Sequence, residues 1–124
     1  MATTMTRTEH NVSREDGNIY YYKVGQGEPL IMLHNVGRSG WIWRNVIGHL
    51  APHFTCYNID MPGFDHSDVP PQKYSVGDYT KAVLDVMDSA GIEQRRLASN
   101  LLYCGGPTII RAAERLRAIR EGIG

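Results

Sequence analysis

Polar and apolar residues alternate, cluster and repeat along this chain in a fixed order of short runs. Arg7 to Ser13 and Asn18 to Val24 read as extended segments, with Arg14-Glu15-Asp16-Gly17 between them. Asp-Gly between extended segments is a strong hairpin signal. The Tyr20-Tyr21-Tyr22 run favours a strand, because aromatic side chains fit a pleated, half-buried surface. Packing explains the run better than an aromatic box for a cation. Gly25-Gln26-Gly27 then turns the chain into the apolar strand Leu30 to Leu33. Phe54 to Ile59 is a second apolar run with little polar alternation, as expected for a strand covered on both faces.

Helical spacing fills the intervals. Ile42, Val46, Ile47 and Leu50 predict one helix from about Gly40 to Leu50, capped by Ser39 and ended by Pro52. The clearest helix follows Ser75, whose partner Asp78 stands in the Glu/Gln slot of a capping box. Tyr79, Ala82, Val83, Val86 and Met87 make its apolar stripe, and Gly91 is placed to close it. A short strand fits within Arg96 to Tyr103. A last helix starts near Pro107, a favoured first helical position. Residues 1–6 read as a disordered tail and residues 7–124 as one domain. Strand, loop, helix, strand, loop is the grammar of a parallel sheet whose ligands sit beyond the strand carboxyl ends.

Charge narrows the partners. Thirteen basic and thirteen acidic side chains cancel, so no global field draws the chain to nucleic acid or an anionic membrane. The Arg-rich end (Arg111, Arg115, Arg117, Arg120) is diluted by Glu114 and Glu121 and reads as a solvated helix face. Cys56 and Cys104 show neither a disulfide framework nor metal spacing; no metal and no cofactor is expected. Cys56 lies in an apolar strand, where a buried thiol is the plain expectation. Residues 1–11 lack an apolar signal core, and no apolar run approaches a membrane span. A soluble, cytoplasmic protein is expected.

Both strand-ending loops carry recognisable chemistry. His34-Asn35-Val36-Gly37 resembles the His-Gly-x-Gly oxyanion loop of α/β-hydrolase-fold enzymes, and Asp60 to Asp68 resembles their Asp-x-Pro-Gly-x-Gly-x-Ser-Asp loop. Ser39 to Arg44, Leu50 to Phe54, Tyr74 to Tyr79 and Gly91 to Glu93 continue the likeness over about residues 18 to 97. It implies the N-terminal half of an α/β-hydrolase fold: a mostly parallel sheet with flanking helices, begun by an antiparallel hairpin. Trp41 to Asn45 is similar to haloalkane dehalogenase, epoxide hydrolase and ester or carbon–carbon hydrolase relatives without choosing among them. A small-molecule substrate is implied. In the family, a backbone N–H of the first loop, here of Asn35 or Val36, helps hold a developing oxyanion, since a fixed amide dipole stabilises charge arising in the transition state. A tight turn with no ligand role is the alternative.

Departures from the family bear on activity. Asn35 and Asp65 stand where it usually has Gly; after Gly, Asn and Asp best tolerate positive φ. His34 reads as a loop-fixing residue and His66 as an exposed loop side chain. Gly-x-Ser-x-Gly, the family's nucleophile turn, does not occur in residues 1–124. Counting from Gly91 puts the nucleophile at Leu101, and anchoring on Gly105-Gly106 puts it at Tyr103. One further slip gives Cys104, a weak candidate nucleophile, for which a structural thiol is the plainer role. No histidine or aspartate follows Cys104, so the family's acid and His have no counterpart there. The resulting expectation is a truncated hydrolase-family chain, inactive alone. Its alternatives are an unconventional thiol hydrolase using Cys104 or a non-catalytic interaction module. A strand near Arg96–Tyr103 with one open side would invite a homodimer or another partner at that sheet edge.

Overall fold

The computed structural model describes residues 6–34, 39–92, 96–99 and 114. Strands β1 (Thr8–Val12) and β2 (Ile19–Gly25) form the expected hairpin. Its turn closes with the Gly17 N–H donating to the Arg14 carbonyl at 3.1 Å. Strands β3 (Glu28–Leu33), β4 (Phe54–Ile59) and β5 (Arg96–Ser99) complete a sheet in the order β1-β2-β4-β3-β5. β3 is parallel to both β4 and β5, while β2 joins β4 antiparallel. The hydrolase-like parallel sheet therefore begins with an antiparallel hairpin, as the resemblance implies.

Each face of the sheet has its own core. On one face lies the helix Val76–Ser89, here α2, whose Ala82, Val83, Val86 and Met87 meet Val12, Ile19, Tyr21, Ile31, Leu33, Tyr57, Ile59 and Met61. The Ser75 hydroxyl accepts from the Asp78 N–H, and the Asp78 carboxylate accepts from the Ser75 N–H at 2.8 Å, so the capping box forms in full. Thr80 adds a polar residue to the buried stripe. It lies there because its hydroxyl donates to the Val76 carbonyl at 2.8 Å. Beyond α2, the Ile92 N–H returns to the Met87 carbonyl at 3.0 Å, closing the helix at Gly91. Arg14 ties the hairpin turn to this helix through Asp85 at 2.8 Å.

The opposite core is smaller: Leu30, Met32 and Cys56, with Trp43, Ile47, Leu50 and Phe54 packed against it. Here the chain departs from the single helix expected over Gly40–Leu50. It forms a 3-10 turn, Gly40–Trp43, and a separate short helix, α1 (Ile47–Leu50). Bonds from Arg44 N–H to Trp41 O and from Val46 N–H to Trp43 O span three residues, not four. That tighter winding shifts the phase. Trp43, Ile47 and Leu50 pack inward, while Val46, expected on the apolar side, is exposed. The Ser39 cap is present, its hydroxyl accepting from the Trp41 N–H at 3.2 Å. Cys56 is buried as expected, and burial pushes its thiol up to about 11, away from thiolate chemistry.

Residues 1–5 of the tail expected over 1–6 lie outside the described residues, as does the helix from Pro107 apart from Glu114, which is helical and exposed. No helix among the described residues is long and apolar enough to cross a membrane.

Two glycines separate backbone constraint from simple propensity. Gly25 ends β2 at φ 105°, and a Cβ there would run into the Phe54 and Ala51 carbonyl oxygens. A Cβ at Gly48, inside α1, would meet nothing within 4 Å. Gly25→Ala is expected to cost about 3 kcal/mol or more, and Gly48→Ala to add up to about 1 kcal/mol. Urea unfolding of the two variants checks both signs.

Candidate functional site

Parallel pairing of β3 and β4, with Leu33 opposite Ile59, delivers the next residues of both strands to the same end of the sheet. The two loops then exchange hydrogen bonds. His34, just past β3 and fully buried, accepts the Met61 N–H at its Nε2, 2.8 Å away. A backbone N–H can only donate, so the proton of this neutral imidazole sits on Nδ1. Phe64 sets its edge against the ring, centroids 5.3 Å apart. In return Asp60, just past β4, accepts the Gly40 N–H at Oδ1, 2.7 Å away. Each loop thus satisfies a backbone donor of the other.

Asn58 reinforces the second tie. Its amide donates to the Gly40 carbonyl at 2.8 Å, so both polar groups of Gly40 are held by side chains of β4 and its loop. Gly40 is needed for this approach: a Cβ would stand 2.5 Å from Asn58 Oδ1 and 3.0 Å from Asp60 Oδ1. Asn58 Oδ1 itself is buried without a hydrogen-bond partner, a local cost set against those contacts.

The second loop is folded onto the hairpin. Ser67 donates its hydroxyl to the Asp60 carbonyl at 2.5 Å and accepts the Tyr20 N–H at 2.9 Å. Asp68 accepts the Asn18 N–H at 2.8 Å. Asp65 sits at φ 46°, the left-handed conformation that the loop demands where the family usually has Gly. His66 is exposed, as expected, but not idle. Its Nδ1 lies 3.0 Å from Asp60 Oδ2, and its backbone N–H donates to the same oxygen at 3.2 Å. That hydrogen bond to Asp60 holds the imidazole's proton affinity above its usual value, against an opposing burial effect, with Asp65 and Glu9 adding attraction.

Of the residues singled out from sequence, only His34 of the first loop can be placed. Asn35, Val36, Gly37 and Cys104 lie outside the described residues. Asp60, Asn58 and Ser67 take roles that the motif alone does not assign. Two polar residues at alternate positions of an otherwise apolar strand end, Asn58 and Asp60, are the available signal. Asp60, Asp65 and His66 also place ligand atoms within 4.8 Å of one another. Backbone N–H groups of Gly40 and His66 already donate to the two Asp60 oxygens. Among the described residues, Ser67 is engaged at both ends and Cys56 is buried, so neither serves as a nucleophile.

Removing the Asp60 carboxylate strands the buried Gly40 N–H. Asp60→Ala is expected to cost about 3 kcal/mol, and Asp60→Asn, which keeps an acceptor for Gly40, about 1 kcal/mol. Equal, negligible losses in urea unfolding would contradict the assignment.

Comparisons with known proteins agree with this architecture. A family model described as alpha/beta hydrolase fold matches residues 28–97, more than half of the chain. A 2-hydroxy-6-oxo-6-phenylhexa-2,4-dienoate hydrolase of Comamonas testosteroni is 35% identical over 100 residues, which cover 77% of this chain and 34% of that protein. A pimeloyl-[acyl-carrier protein] methyl ester esterase of Vibrio vulnificus is 38% identical over 50 residues, 40% of this chain and 20% of the esterase. The crystal structure of a loop variant of haloalkane dehalogenase DbeA from Bradyrhizobium elkanii superposes with a TM-score of 0.82 at 23% identity, over 90% of this chain and 37% of that one. The matches thus span a fifth to about a third of these relatives' lengths. With the family model, the strand order and the laced loops in agreement, this chain belongs to the alpha/beta hydrolase fold family.

Proposed function

We propose that residues 1–124 build the oxyanion-loop side of a hydrolase acting on small-molecule esters or carbon–carbon bonds, and that turnover requires the family's Gly-x-Ser-x-Gly nucleophile and the acid and histidine that follow it, which have no counterpart in these residues. The reciprocal bonding of His34 to Met61 and Asp60 to Gly40 supports this reading. It clamps both flanks of residues 35–38, where an amide donor has to be held still if it is to meet developing negative charge. An amide free to swing would have to reorganise at the moment of reaction and would lose most of that benefit.

The likeness to an ester hydrolase and to a dienoate hydrolase, both longer than this chain, supports the substrate class. Carboxylic esters and vinylogous ketones share the same demand: a carbonyl oxygen that gains charge as its carbon is attacked. Association through the outer edge of β5, the last strand in the described sheet, belongs to the same proposal, since an open strand edge offers unpaired backbone groups.

Purified residues 1–124 are expected to hydrolyse p-nitrophenyl acetate and butyrate no faster than buffer, with Cys104→Ala unchanged. Many turnovers per molecule, abolished by Cys104→Ala, would establish the thiol hydrolase in its place. Size-exclusion chromatography at micromolar concentration is expected to give a dimer; a stable, well-folded monomer contradicts the edge association.

A further inference from the structure

His66 occupies a position that the lacing of the two loops does not require but can feel. Its ring lies on Tyr20 with centroids 4.6 Å apart, and its Nδ1 lies 3.0 Å from Asp60 Oδ2 and 3.5 Å from Asp65 Oδ1. The same Asp60 holds Gly40 through its other oxygen. Asp60, Asp65 and Glu9 act on this ring directly, while Arg7 and Arg44 line the same hollow. Asp60 and Asp65 belong to its own loop, Glu9 and Arg7 to β1 and its entry, and Arg44 follows the 3-10 turn. Arg7 is already engaged by Glu9 at 3.5 Å and by the Tyr20 hydroxyl at 3.4 Å. Arg7, Arg44, Tyr20 and His66 border a hollow of about 100 Å³ that reaches Gly40 and Asp60, so water has a path to the imidazole.

We propose that His66 is a proton-operated latch on the first loop, tightening the grip of Asp60 on Gly40 when protonated and slackening it when neutral. A protonated imidazole donates from both nitrogens, so Nδ1 always presents a proton to Asp60. The bond is then charge-assisted, and it fixes the carboxylate in the plane from which Oδ1 meets the Gly40 N–H. A neutral imidazole carries one proton. With that proton on Nε2, two acceptors face each other, and Asp60 Oδ2 keeps only the longer bond from the His66 backbone N–H, at 3.2 Å.

The sign follows from linkage. The proton is held more tightly in the folded chain than in the unfolded one. The latch is therefore fully engaged below the unfolded value near 6.5 and is lost as pH rises through the higher folded value. Because the imidazole is 59% exposed, solvent screening keeps the effect modest.

The test is amide hydrogen exchange of Gly40 by NMR on the intact chain, corrected for base-catalysed intrinsic exchange, alongside a pH titration of the His66 ring. Gly40 exchange is expected to accelerate roughly two- to fivefold across the His66 midpoint and to be pH-independent in His66→Gln. Asp65→Asn, which keeps a side chain tolerant of positive φ, is expected to move both midpoints to lower pH together. Gly40 protection that ignores the His66 titration, or that shifts independently of it in Asp65→Asn, overturns the proposal. Because no readout uses hydrolysis, the outcome is separate from that of the proposed function.

Discussion

Two backbone N–H groups at one end of the sheet, those of Met61 and Gly40, have no strand or helix partner, and burial forbids leaving them unpaired. Each is met by a side chain from the opposite loop: His34 for Met61, Asp60 for Gly40. This exchange makes the residue types at 34 and 60 physical requirements. His34 must offer a ring acceptor while buried, and Asp60 must accept on one oxygen from Gly40 and on the other from its own loop. Parallel pairing of β3 and β4 is what brings the two loops to the same end, so the sheet topology and the lacing depend on each other.

The hairpin, the second core and α2 act as supports for that junction. Ser67 and Asp68 anchor the second loop to the start of β2, and the hairpin is in turn tied to α2 through Arg14 and Asp85. The large core beneath α2 includes Met61, the residue whose N–H reaches His34. Apolar burial thus fixes the position of a polar contact. On the other face, Gly40 opens the 3-10 turn that leads Trp43 into the smaller core. Each loop is held between a hydrogen bond and a packed side chain.

Much of this is legible in the sequence. The Asp-Gly hairpin, the Phe54–Ile59 strand and the helix behind Ser75 follow from short-range turn chemistry, strand length and a strong apolar stripe. The two loop motifs, in order, point to the fold class. Asp65 in place of Gly suggests a left-handed residue, and φ there is 46°. The region from Gly40 to Leu50 misleads because Ile42, Val46 and Leu50 fit helical spacing, while the three-residue hydrogen bonds that break the helix leave no mark on that spacing. The partners of His34 and Asp60 are also illegible. A sequence shows that a polar residue ends a strand, but not which backbone group across the sheet needs it. The roles of Asn35, Val36, Gly37 and Cys104 stay as proposals that rest on the family's chemistry.

The most direct measurement is the nitrogen NMR spectrum of the His34 imidazole, with a search for scalar coupling across its hydrogen bond. A neutral ring protonated on Nδ1 is expected, with Nε2 unprotonated and coupled to the Met61 amide. A His34 ring protonated on Nε2, or one exchanging freely with solvent, would contradict the lacing on which the site depends.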